Sequence, residues 1–176
     1  MLQIADGTGR RGHQNRATLG IAGIGLMLLL STAFLGPRLV WNASASAPTG
    51  LYLRVDAVPQ TGDFALIRTP VTVRELAARR GYLPLNVPMV KQIAARSGDT
   101  ICAVGRAILI NGDEVATRLA MDRQRRPLPS WTGCRRLGHE EFFPLMRNAR
   151  ASFDGRYFGP VTRKSILGRL IPLWTK

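Results

Sequence analysis

An uncharged run of 17 residues, Leu19 to Leu35, constrains this chain more than any other feature. That length is near the lower limit for a helix that crosses a bilayer. Leu39, Val40 and Trp41 extend the apolar character past Arg38, and a tryptophan suits the membrane interface. Residues 1–18 are polar and rich in Gly and Arg, with Arg10, Arg11 and Arg16 on the near side of the run. They read as a disordered cytoplasmic tail, because the basic flank of a membrane segment stays inside. The expected organisation is therefore a tail over 1–18, a transmembrane anchor over 19–41 and an exported domain over 42–176. This makes a single-pass protein of the inner membrane, with its N-terminus cytoplasmic and its folded part periplasmic. A cleaved signal peptide is the rival reading, since Ala43-Ser44-Ala45 is a small-x-small sequence of the kind cut after such segments.

The chain carries 25 Lys and Arg against 11 Asp and Glu, a formal charge of +14. A membrane surface, an acidic partner or a nucleic acid could each suit that balance. The basic residues are scattered, and neither zinc-finger spacing nor an aromatic-rich RNA-binding signature is present, so nucleic acid is not an expected partner. Almost all of the positive charge is arginine. The lysines are only Lys91, Lys164 and Lys176.

Beyond residue 46 the pattern is mostly strand. Leu51, Leu53 and Val55 alternate with Tyr52 and Arg54, which predicts a half-buried strand with the aliphatic side inward. Further strands are expected at 64–67, 89–94, 100–104 and 142–146. Asn111-Gly112 between apolar runs predicts a type I′ hairpin turn. Thr72 and Glu75 form a capping-box pattern ahead of Val73, Leu76 and Ala77, and Gly81 offers a stop, so one short helix is expected there. Residues 121–130 are basic and contain proline, and read as an exposed loop. Ser152 to Val161 reads as a tight turn entering a strand. The fold class is mainly β with one short helix.

Cys102 and Cys134 both follow the apolar run and so face an oxidising compartment, where a single pair reads as a disulfide. A free or catalytic thiol, with His139 as a conceivable partner, and a metal site remain as alternatives.

Lys91 lies within Met89-Val90-Lys91-Gln92-Ile93-Ala94. On a strand, Met89, Lys91 and Ile93 share one face. Apolar flanking disfavours an ammonium ion and lowers a lysine pKa, the condition for a lysine to act as a base. A lysine whose stem covers apolar surface while its head reaches water is the alternative. In Asn42-Ala43-Ser44-Ala45-Ser46-Ala47-Pro48-Thr49-Gly50, Pro48 and Gly50 stiffen the backbone just after Ser46. A serine nucleophile needs a base and an oxyanion site. The backbone N–H of Ser46 could serve the latter, with the Ser44 hydroxyl two residues earlier on the same side. A flexible Ala/Ser linker is the alternative for this stretch.

The order of these blocks resembles the signal peptidase I superfamily of serine–lysine peptidases, and more closely its conjugative-transfer, TraF-type branch, which processes pilins. The resemblance runs from about Trp41 to Trp174. It comprises the Asn42-x-Ser44-x-Ser46-x-Pro48-x-Gly50-Leu51-Tyr52 block, Gly62-Asp63 before an apolar strand, and Lys91 through Gly98-Asp99 before another. A cysteine follows the lysine block, and Asp154-Gly155-Arg156-Tyr157-Phe158-Gly159 comes late in the chain. It implies a signal-peptidase-like β-fold and a membrane-bound endopeptidase without metal or organic cofactor. Ser46 would be the nucleophile, Lys91 the general base, Ser46 N–H and the Ser44 hydroxyl the oxyanion donors, and Asp154 and Arg156 a supporting pair that braces the lysine strand. The implied partners are a pilin precursor as substrate and components of a conjugation or type IV secretion apparatus. General leader peptidases carry Ser-Met-x-Pro at the nucleophile. Here Ala47 replaces the methionine and Pro48 comes one residue sooner, which keeps Ser44 as a second candidate for attack. Ser97 stands where proline is usual. The non-enzymatic alternative is a membrane-tethered assembly factor that binds a partner through its basic face.

Overall fold

The computed structural model describes residues 38–176, so the expected tail and the apolar run at 19–35 lie outside the described residues. Eleven strands form two antiparallel sheets. In chain order they are β1 (Leu39–Asn42), β2 (Gly50–Val55), β3 (Phe64–Ile67), β4 (Met89–Arg96), β5 (Thr100–Val104), β6 (Ala107–Ile110), β7 (Asp113–Thr117), β8 (Gly133–Arg136), β9 (Glu141–Pro144), β10 (Val161–Thr162) and β11 (Ile166–Thr175). Helix α1 (Val71–Arg79) joins β3 to β4, and a single turn, α2 (Gly155–Phe158), precedes β10. The larger sheet has seven strands in the order β1-β2-β11-β3-β4-β9-β10; the smaller has four, β7-β6-β5-β8.

Strand β4 is central to the larger sheet. Its first half pairs with β3 and its second half with β9. Six of its eight residues are buried, so both faces are covered rather than one. The expected face holds: Met89 and Ile93 pack in one core cluster with Ala65, the cross-strand partner of Lys91. The smaller sheet builds its own core from Ile101, Ala103, Ile108 and Ile110, packed with Phe143 and Leu145 at the end of β9. Asn111 and Gly112 turn the β6–β7 hairpin with φ of +53° and +95°, as the Asn-Gly pair predicts. Cys102 and Cys134 are bonded, and they are direct cross-strand partners on β5 and β8. The segment carrying Cys134 is thus a strand.

Three local readings change. The helix begins at Val71, with Pro70 at its N-cap and no side-chain cap, so Thr72 and Glu75 lie inside the helix and form no capping box. Proline fixes φ and starts the turn two residues earlier. On β2 the buried residue is Tyr52, fully covered, while Leu51 and Leu53 are only half-buried. The Tyr52 hydroxyl donates to Pro48 O at 2.6 Å and its ring packs edge-on against Phe64, which gives the polar tip a partner inside. Finally, residues 39–41, assigned above to the anchor, are part of β1 and pair with β2.

Gly50 closes this corner. Its φ is +148°, and a Cβ there would lie 2.0 Å from Trp174 O on β11. Only glycine lets β2 and the C-terminal strand approach this closely just beyond the serine turn.

Candidate active site

The serine turn is held by Asn42, a buried residue at the end of β1. Its side-chain amide donates to Ser44 O, Ala47 O and Pro48 O at 3.0, 3.1 and 3.0 Å. Its carbonyl oxygen accepts from Ser44 N at 3.1 Å. One amide, its two N–H groups shared among three carbonyls, thus ties together four backbone groups of a segment with little secondary structure of its own. Ala47 is buried, and Ser46 is left at the rim with its hydroxyl turned toward β4.

Lys91 Nζ lies 2.7 Å from Ser46 Oγ and 2.9 Å from Ser152 Oγ. The lysine is only 4% exposed. Burial lowers its pKa from 10.5 to about 8. Asp154 raises it and Arg156 lowers it, and these opposing influences are smaller than that of burial. The two act in opposite directions from one place, because Asp154 and Arg156 are paired with each other. Arg156 Nε donates to Asp154 Oδ1 at 2.8 Å, and both side chains are almost wholly buried. Arg156 also donates to Met146 O at 2.7 Å and Arg150 O at 3.1 Å, and Met146 N donates to Asp154 Oδ2 at 3.0 Å. The ion pair thus fixes the 146–156 segment that carries Ser152. It reaches β4 indirectly, through Leu145 N donating to Gln92 O.

Ser44 Oγ and Ser46 Oγ are 2.9 Å apart, and Ser46 N lies 3.4 Å from Ser44 Oγ. The two hydroxyls therefore share a side, as the two-residue spacing predicts. A cavity of about 920 Å³ opens over Ser44, Ser46, Lys91 and Ser152. A neutral Lys91 can accept the Ser46 proton, and a carbonyl seated at Ser46 Oγ would meet the Ser46 N–H and the Ser44 hydroxyl. This arrangement is suited to acyl transfer.

The family model for signal peptidases, peptidase S26, matches residues 14–174. The chain belongs to the signal peptidase S26 family. It is 30% identical over 167 residues to a plasmid transfer protein TraF of Escherichia coli, covering 89% of this chain and 94% of that one. It is 29% identical over 180 residues to a probable conjugal transfer protein TraF of Sinorhizobium fredii, covering 95% and 94%. Among solved structures, a signal peptidase I of Enterococcus faecalis matches with a TM-score of 0.40 and 18% identity, over 66% of this chain and all of the other.

Of the residues singled out from the sequence, Ser44, Ser46 and Lys91 meet at the cavity, Asp154 and Arg156 pair with each other in the segment that carries Ser152, the two cysteines tie the smaller sheet, and His139 is exposed and outside the cavity lining. The sequence reading missed Asn42 and Ser152 as members of the site. Asn42 stood in the quoted serine block without a role. Ser152 lay two residues before Asp154, and a lone turn hydroxyl carries no periodic signal. Its position just ahead of an Asp-x-Arg pair was the one available clue.

Proposed function

We propose that this chain is a membrane-bound serine endopeptidase in which Ser46 attacks, Lys91 is the general base, and an exported pilin-type precursor of conjugative transfer is the substrate. The observation that carries the reading is the 2.7 Å approach of Ser46 Oγ to the amine of a buried lysine. Burial brings its pKa down to about 8, close to working pH. The plasmid-transfer and conjugal-transfer names of the relatives support the process and the class of substrate.

In the proposed reaction, neutral Lys91 takes the Ser46 proton as Oγ attacks the peptide carbonyl. The oxyanion is held by Ser46 N–H and the Ser44 hydroxyl. Lys91 then gives its proton to the leaving amine, and an acyl-enzyme remains on Ser46. Water enters, Lys91 removes its proton, and the ester is cleaved. Ser152 acts as a positioning residue that keeps Nζ aimed at Ser46. Co-expression with a pilin precursor and intact mass of the product tests this. Ser46→Ala at unchanged protein level should abolish the mass shift, whereas Ser44→Ala should only slow it, about 10²-fold as for loss of one oxyanion donor. Persistent cleavage by Ser46→Ala, with host peptidases controlled, would move the nucleophile elsewhere.

An inner-membrane location with the catalytic domain periplasmic is part of the same proposal. Register supports it. Leu39, Leu53 and Ile171 are successive cross-strand partners on β1, β2 and β11, and Trp41, Leu51 and Trp174 form the next row. Leu39, Trp41, Leu173 and Trp174 are each more than half exposed, and the two indoles stack at 5.9 Å. An outward apolar face of this kind suits a lipid interface. The full chain in vesicles should therefore show quenching of Trp41 and Trp174, but not Trp131, by brominated lipids in single-tryptophan variants. Equal quenching of all three would overturn the membrane role of this face.

A further inference from the structure

The cavity over Ser46 is not uniform, and its far wall has a charge that the chemistry at Ser46 does not use. That wall is formed by an arm, residues 118–131, stiffened at several points. Arg118 is buried and donates to Trp131 O and Gly105 O, both at 2.6 Å. Leu119 N donates to the Tyr157 hydroxyl, and Met121 and Pro127 bridge the two sides. The basic, proline-containing stretch is an exposed loop, as expected, closed by the Met121–Pro127 bridge.

Among the described residues, Asp122 is the only acidic one on the cavity wall. Its carboxylate accepts from the Tyr82 hydroxyl, from Arg126 Nε and from the backbone N–H groups of Gln124 and Arg126. Burial pushes its pKa up, but the bonds from Tyr82 and Arg126 and the Arg126 charge outweigh that and hold it well below the usual carboxylate range. Its four donors come from Tyr82, Gln124 and Arg126, and its charge is paired with Arg126. Arg123, next to it at the tip of the arm, and Arg150, two residues before Ser152, line the same cavity. Both are exposed, and neither guanidinium has a hydrogen-bond or ion-pair partner among the described residues. A basic surface residue is usually a solvated one. Two unpaired arginines lining the cavity that holds a nucleophile are placed where an occupant would meet them.

We propose that Arg123 and Arg150, both on the lining of the cavity over Ser46, make it selective for an acidic residue, Glu or Asp, on the peptide segment that lies there. Guanidinium groups are suited to carboxylates because they present paired donors in a plane. The proposal rests on the peptidase reading only for the identity of the occupant, and binding without bond cleavage separates the two.

The test uses the full chain carrying Ser46→Ala, in neutral detergent. Fluorescein-labelled alanine-rich decapeptides carry one Glu, moved position by position, beside Gln counterparts, and Kd is read by fluorescence polarisation. The expected result is a Glu preference of about five-fold, the scale of one part-exposed charge pair, at one or two adjacent positions only. Arg123→Gln and Arg150→Gln should each reduce it, and Arg123→Glu should favour a Lys peptide instead. Arg68→Gln with Lys164→Gln, exposed and outside the cavity lining, should leave it intact. A Glu preference retained by a parent chain that cleaves nothing supports this site while removing the peptidase reading. Absence of peptide binding, a preference spread over all positions, or an equal loss in the Arg68/Lys164 control overturns the proposal. So does a defect of the Arg123 and Arg150 variants confined to phosphatidylglycerol vesicles, which would assign the arginines to lipid.

Discussion

On the proposed mechanism, Lys91→Met should remove precursor cleavage at pH 7 and, in the same step, leave the protein at least as stable as the parent. The two effects have one origin. A pKa lowered from 10.5 to about 8 by burial means that the folded state disfavours the ammonium form. Protonation of the buried lysine at pH 7 costs about 3 kcal/mol of stability at ~1.36 kcal/mol per pH unit. Methionine is of similar length and has no charge to desolvate, so it relieves that cost, offset in part by the lost contacts to Ser46 and Ser152. Activity should fall by about 10³-fold or more, because a serine hydroxyl without a base is a weak nucleophile.

The sign of the pH dependence follows directly. Attack needs neutral Lys91, so parental kcat/KM should fall about tenfold per pH unit below 8 and level off above it. Stability moves the same way. Between pH 8 and 10.5 the unfolded chain still holds the proton that the folded chain has released, so parental stability rises with pH across that window. The gap to Lys91→Met should therefore narrow from pH 8 to 10.5. A pH profile flat from 6 to 9 in the parent, or a methionine variant much less stable than the parent at pH 7, would remove the lysine base from the argument.

The burial of the Lys91 face was legible because a strand imposes a period of two and Met89 and Ile93 are apolar, but the period left the role of the lysine open and the family resemblance assigned it. The Asn-Gly hairpin was legible for a similar reason: few residues tolerate its backbone. What the period does not give is a sign. On β2 the alternation was read correctly, but Leu51 and Leu53 were placed inward when Tyr52 is the buried residue. The reason lies far away in sequence. β1 and β11 bring Trp41 and Trp174 beside Leu51 and create a second apolar face outside. β1 itself was hidden because its apolar residues continue the run that precedes it. The site followed the same rule. Ser46 and Lys91 lie on stretches with local signals, whereas Ser152 and Asn42 are recruited by tertiary contacts, one through the Asp154–Arg156 pair and the other by bonding backbone. A turn serine or a strand-end asparagine has no local pattern to announce it.

The largest expected loss of stability belongs to that pair. Asp154→Ala should lower the unfolding free energy by about 3–5 kcal/mol, the range for breaking a buried ion pair from one side. For a folded unit of this size that is roughly 10 °C in Tm. Arg156 is 1% exposed and would keep its charge in the interior with its carboxylate partner gone, while Met146 N would lose its acceptor. Arg156→Met should be comparably damaging, since it strands Asp154 and frees two backbone carbonyls, Met146 O and Arg150 O. The double variant Asp154→Leu/Arg156→Met tests whether charge or backbone bonding dominates. Removing both charges leaves only neutral groups unpaired, so the double variant should be more stable than either single one while remaining below the parent. Thermal unfolding of the full chain in detergent, followed by circular dichroism, measures all four. Single variants within about 1 kcal/mol of the parent would show that water reaches this pair. Where Asp154→Ala folds, its activity profile offers a second readout. Loss of the carboxylate leaves Arg156 uncompensated near Lys91, so the lysine pKa should fall below about 8 and the rising limb of the profile should move to lower pH. A structural defect that let water reach Lys91 would move that limb the other way, to higher pH, because burial is the main cause of the lowered pKa, so the direction of the shift separates the two.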